Sequence, residues 1–118
     1  YLISLQLFQH GNIQQIERFF LQTEKLLKSK RLFFLRVNSV HTQIKEKHVV
    51  EEKSQSGGFT IRYTTGSKAG QSIHFYSAEE LRDLTSQKFT IIMPLREEVI
   101  YRDDGSHWDQ WETILQKK

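Results

Sequence analysis

The sequence predicts an α/β architecture, on three observations. Two apolar runs, YLISLQLF from Tyr1 to Phe8 and RLFFLRVNS from Arg31 to Ser39, flank a segment with helical spacing. A helix-start pattern stands ahead of each of two helical segments, Asn12 with Gln15 and Ser77 with Glu80. The chain then closes with two long strand-like runs on either side of the turn signal Asp103-Asp104-Gly105.

The first run is apolar almost throughout, as suits a strand buried on both faces of a parallel sheet. Asn12 reads as an N-cap whose side chain accepts a hydrogen bond from a free backbone N–H, with Gln15 completing a capping box and Gly11 giving the corner room. Behind it Ile13, Ile16, Phe20 and Leu27 fall on one helical face, with Phe19 and Leu26 beside them. That helix is expected to end near Lys28 to Lys30, before the second buried strand at Arg31 to Ser39. Strand, helix and strand in succession form a βαβ unit with a right-handed crossover. From Val40 to Ser56 the chain turns polar and mixed in charge, and Gly57-Gly58 breaks it. FTIRY, the turn TTGSKAGQ and SIHFY then read as a hairpin, so the stretch from about 40 to 71 is an insertion folded as a lid or binding loop. Ser77 with Glu80 is a capping box opening a short helix, Ala78 to Ser86, and Tyr76 with Leu81 forms a hydrophobic staple. FTIIMPLREEVIYR follows as a strand whose Pro94 marks a bulge or an edge. HWDQWETILQKK returns antiparallel as the last strand.

Composition bounds the rest. The chain has 118 residues, 37% hydrophobic and 26% charged, which allows one domain with one core. No run approaches the ~20 apolar residues of a membrane helix, so no membrane contact is expected. The chain has no Cys, which excludes disulfides and thiolate ligands and fits a cytoplasmic setting. A net charge of +3 raises the question of nucleic acid. The densest basic run, Lys25 to Arg31, closes a helix, where cations complement the dipole, and no basic stripe interleaved with aromatics follows. The five histidines, His10, His41, His48, His74 and His107, lack ligand spacing, so no metal site is expected. TGSKAG lacks the Lys-Ser or Lys-Thr that a phosphate loop needs after its second Gly. No nucleophile elbow is present. Ligands of open α/β sheets bind outside the carboxyl ends of the strands, and His10, Asn38, Ser39 and His41 belong to that rim.

SLQLFQHGN, followed by an amphipathic helix ending in LLKSKRLFFLRV, resembles the C-terminal half of a class I S-adenosylmethionine-dependent methyltransferase, a Rossmann-like domain. IHFYSAEELRDLT resembles the family's helix before its sixth strand, and FTIIMPLREEVIYR and HWDQWETILQKK its sixth and seventh strands. The resemblance implies that residues 1–118 form a partial methyltransferase domain, strands four to seven of a mixed sheet whose last strand is antiparallel, with an inserted hairpin or lid. LKSKR replaces the usual proline and glycines before the second strand, so that corner is built differently. The family's glycine-rich cofactor loop and ribose-binding acid have no counterpart here. The abrupt start at Tyr1, with no initiating Met, fits a chain whose N-terminal half is missing.

The resemblance further implies a cofactor, S-adenosylmethionine, and a small-molecule methyl acceptor. Ser4, Leu5, Gln6 and Phe8 would line the cofactor pocket, and His10 would stand at the boundary of cofactor and acceptor. Asn38, Ser39 and His41 would border the acceptor, with Tyr63, Lys68, His74 and Tyr76 as lid contacts. Methyl transfer is an in-line displacement at a sulfonium carbon, where orientation supplies much of the catalysis. Should the acceptor have to lose a proton, His10 or His74 would be the base, since imidazole changes charge near neutral pH. The fragment would be inactive without its N-terminal half. Two alternatives stay open: a non-catalytic methyltransferase-like module that binds a second chain, and a small α+β domain that binds nucleic acid.

Overall fold

A computed structural model describes residues 2–5 and 11–118. Its elements are β1 (Leu2–Leu5), α1 (Ile13–Leu26), β2 (Leu32–Asn38), β3 (His48–Lys53), β4 (Phe59–Tyr63), β5 (Ser72–Phe75), α2 (Ala78–Thr85), β6 (Phe89–Tyr101) and β7 (His107–Lys117). They build two sheets, one in the order β1-β2-β7-β6 and one in the order β3-β4-β5.

This arrangement corrects the expectation of a Rossmann-like α/β fold. Of the ladders described, only β1–β2 is parallel, and β2–β7, β6–β7, β3–β4 and β4–β5 are antiparallel. The reason lies in the connections. A parallel pair needs a long crossover, and only the segment through α1 returns the chain to the same sheet that way. Short turns join β3 to β4, β4 to β5 and β6 to β7, and short turns make antiparallel hairpins. The second helix, α2, carries the chain from one sheet to the other and so closes no βαβ unit. Nor do the described helices sandwich the sheet as a doubly wound fold requires. Ile16 and Phe20 of α1 and Leu81 of α2 share one core with Phe33, Leu35 and Val37 of β2 and Leu115 of β7.

Local signals explain the elements themselves. Asn12 Oδ1 accepts from the Gln15 backbone N–H (3.0 Å) and Gln15 Oε1 from the Asn12 N–H (2.9 Å), a complete capping box at the head of α1. Gly11 sits at φ +103, and a Cβ there would meet the Gln15 amide that closes the box. Ser77 caps α2 by accepting from the Glu80 N–H (3.1 Å), but Glu80 does not reach back as a capping box would, because its side chain turns to His74 instead. Pro94 lies in β6, an edge strand whose pairing with β7 shifts register on both sides of Met93. Residues 48–53 are a strand the sequence did not announce: β3 is mostly exposed, and each of its faces carries both Val and Glu, which leaves no apolar–polar alternation.

The second sheet has its own small core of Ile61, Tyr63, Ile73 and Phe75. Backbone hydrogen bonds join it to the rest of the molecule. The Gly11 N–H donates to the Ser72 carbonyl (2.9 Å), and the Tyr76 N–H to the Asn38 carbonyl (2.8 Å). Among the described residues no helix is long and apolar enough to cross a membrane.

Candidate functional site

The two sheets meet where β2 ends. Ser39 bridges Tyr76 in parallel, and the Tyr76 carbonyl accepts from both the Val40 N–H (3.0 Å) and the Trp111 indole N–H (2.8 Å). Asn38, Ser39 and Tyr76 are fully enclosed there. The chain then turns along the start of β7, held by Ser39 N–H on the Asp109 carbonyl (2.8 Å) and by Thr42 Oγ1, which donates to that carbonyl (2.9 Å) and accepts from the Asp109 N–H (3.0 Å). This segment delivers His41 to the surface beside β6 and β7.

Ser39, His41, Glu97 and Asp109 converge at that point, with Trp111 and His107 beside them. The Ser39 hydroxyl donates to Glu97 Oε2 and accepts from the His41 backbone N–H (3.1 Å). His41 Nδ1 lies 2.6 Å from the same Glu97 oxygen, and the His41 ring packs 6.1 Å from that of Trp111. On the neighbouring strand, His107 Nδ1 lies 2.5 Å from Asp109 Oδ1. His41, Glu97 and Asp109 each present a donor atom, and all three atoms lie within 4.8 Å of one another. Only Nδ1 of His41 takes part in this contact with the carboxylate, and the His41 side chain is half-exposed.

His74 differs. Its Nδ1 pairs with Thr60 Oγ1 (2.8 Å) and its Nε2 with Glu80 Oε1 (2.7 Å), and no part of it reaches solvent. A base needs a free ring nitrogen within reach of its proton, and His74 has neither the nitrogen nor the access. Thr60 in turn donates to Glu52 (3.1 Å), which accepts from the Ile13 N–H at the head of α1 (2.5 Å). His74 is thus the middle of a buried chain of polar contacts that ties α1, β3, β4, β5 and α2 together. The Tyr76 ring meets His74 edge-on at 4.7 Å, and burial, with the Glu80 charge adding to it, pushes the Tyr76 phenol well above its ordinary range.

Tyr63 and Lys68 form a separate group. Lys68 Nζ stands 5.6 Å from the Tyr63 ring centre and 5.7 Å from that of Trp108, whose ring also carries Arg102 at 5.6 Å. Burial raises the Tyr63 phenol as well. Ser4 and Leu5 lie on β1, opposite Leu35 and Arg36. Gln6, Phe8 and His10 lie outside the described residues. Glu97, Asp109, His107 and Trp111 were not singled out from the sequence as site residues, since they stand more than fifty residues from His41 and no local spacing links them.

No family model matches the chain, and no curated protein or solved structure matches it.

Proposed function

We propose that this chain supplies the methyl-acceptor side of an S-adenosylmethionine-dependent methyltransferase. The observation that supports it is the rim at the carboxyl ends of β1 and β2, the parallel pair. There Asn38, Ser39, His41 and Glu97 gather, and Gly11, ahead of α1, donates to Ser72 of the second sheet. Polar groups gathered at a strand end can orient a small molecule, and orientation is what methyl transfer chiefly requires. For an acceptor that must lose a proton, His41 Nε2 is the base, held in one tautomer by Glu97 and steadied by Ser39.

The described residues do not by themselves fit the cofactor. No glycine-rich turn follows a strand with an acidic partner for a ribose, so no step is derived through that group. Titration of the full-length protein with S-adenosylhomocysteine tests the reading: saturable binding is expected, unchanged in His41→Ala, and no binding overturns it. A second reading, a module that pairs with another chain, is favoured by the position of β1 at the edge of its sheet. Concentration-dependent association in sedimentation, without cofactor binding, is the result it predicts.

A further inference from the structure

We propose that His41, Glu97 and Asp109 bind a divalent transition-metal ion. The site goes beyond the methyl-transfer reading and stands without it: binding a metal through Nδ1 leaves the proton on Nε2, so metal-bound His41 would not also serve as the base of that reading. Three elements distant in sequence deliver the ligands: the segment after β2, β6 and β7. Their donor atoms already lie within 4.8 Å of one another, with His41 Nδ1 and Glu97 Oε2 2.6 Å apart. Metal–ligand bonds of about 2.0–2.2 Å set neighbouring donors roughly 3 Å apart, so small side-chain rotations turn the proton-bridged cluster into a coordination shell.

Charge supports the same conclusion. Glu97 is half-buried and Asp109 almost fully buried. Among the described residues neither carboxylate forms a salt bridge with Lys or Arg; their partners are imidazoles and a hydroxyl. Two carboxylates so close and so poorly hydrated need a cation, and histidine is one only when protonated. A divalent ion supplies the missing charge at any pH where the ligands are free of protons.

The surroundings resemble a built site. His107 Nδ1 fixes the Asp109 carboxyl at 2.5 Å, and the Ser39 hydroxyl fixes Glu97. Ligating carboxylates are ordinarily oriented by such outer hydrogen bonds. The Asp109 backbone is clamped at both its N–H and its carbonyl by Thr42. The exposed His41 flank leaves coordination positions open to water or an oxygen ligand. One imidazole with two carboxylates selects Zn²⁺, Mn²⁺ or Fe²⁺ over Mg²⁺ and Ca²⁺, which prefer oxygen alone.

Chelator-treated protein titrated with Zn²⁺ and Mn²⁺ is expected to bind one equivalent, at least about tenfold more tightly than Mg²⁺. His41→Ala and Glu97→Gln, both at solvent-reaching positions, should each weaken binding about tenfold or more. In the unaltered protein, sub-stoichiometric Mn²⁺ should broaden the amide resonances of Ser39 to Thr42, Glu97 and Asp109 first, which needs no variant to fold. Absence of binding, wild-type affinity in both variants, or broadening centred elsewhere, as at His48, overturns the proposal.

Discussion

His74 Nε2 and Glu80 Oε1 stand 2.7 Å apart with the histidine wholly out of solvent and the glutamate nearly so. The pair joins β5 to the first turn of α2 and continues through Thr60 to Glu52 and the head of α1. Removing one partner strands the other without water. Glu80→Ala is therefore expected to cost about 3 kcal/mol in urea unfolding. Replacing both residues with apolar ones, His74→Phe with Glu80→Leu, should cost clearly less than the two single changes summed. Additive losses would show that the two groups do not act as a pair.

Gly58 is part of the same device. A Cβ at this position would stand 2.0 Å from Glu80 Oε1 and 2.6 Å from its carboxyl carbon. The backbone of the β3–β4 turn thus approaches the carboxylate as closely as a glycine allows. Gly58→Ala should push Glu80 off His74 and destabilise the protein by about 1–3 kcal/mol. In a Glu80→Ala background the same substitution should cost only a few tenths of that, because the obstruction is gone. An equal cost in both backgrounds would assign the glycine to turn conformation alone.

Lys30 joins α1 to β2 in a left-handed conformation, φ 70, the one non-glycine residue with positive φ among those described. Its N–H donates to the Lys117 carbonyl (2.8 Å), and its carbonyl accepts from the Gln116 amide (3.1 Å), so the turn is fixed by the last strand. Lys30→Gly removes the Cβ conflict of that conformation and should raise stability by about 1 kcal/mol in thermal or urea unfolding. A loss would mean that the lysine side chain contributes more than the strain costs.

This corner also shows how far the sequence could be read. LKSKR carries no glycine, and nothing in its spacing announced that Lys30 would take the left-handed conformation. Helix and strand positions followed from spacing and caps because those signals act within a few residues. The parallel pairing of β1 with β2 followed from the length of the crossover. What spacing could not reveal was which strands share a sheet, and the resemblance to a Rossmann-like methyltransferase half led to the wrong fold class. The candidate site has the same limitation. Asn38, Ser39 and His41 were legible as the end of a strand, whereas Glu97 and Asp109 reach them only through the register of β6 on β7 and of β7 on β2. His74 illustrates the converse. Its identity suggested chemistry, and only burial and its two partners show it to be structural.

The outer face of the first sheet carries a carboxyl pair that sets a pH dependence. Arg36 Nη2 reaches Glu98 (2.7 Å) and Glu112 (3.1 Å), and Arg96 reaches Glu112 (3.2 Å). Hydrogen bonding with Glu98, followed by burial, holds the Glu112 carboxyl above the usual glutamate range, while the same bond, with Arg36 assisting, holds Glu98 below it. Glu112 is the more enclosed of the two and retains the shared proton to higher pH. A raised folded-state value means that the Glu112 contribution is fully present below the ordinary glutamate range and is lost as pH rises through the folded value. A lowered value means that the Glu98 contribution is present above that range and is lost as pH falls. Glu112→Gln keeps a neutral donor facing Glu98 at every pH and removes only the first loss. The variant should therefore gain stability relative to the parent as pH rises from about 4 to about 8, the difference being smallest at the acid end. Melting temperatures of both proteins across that range measure it. A variant that instead loses ground toward alkaline pH would show that the contacts of ionised Glu112 with Arg36 and Arg96 outweigh its repulsion from Glu98.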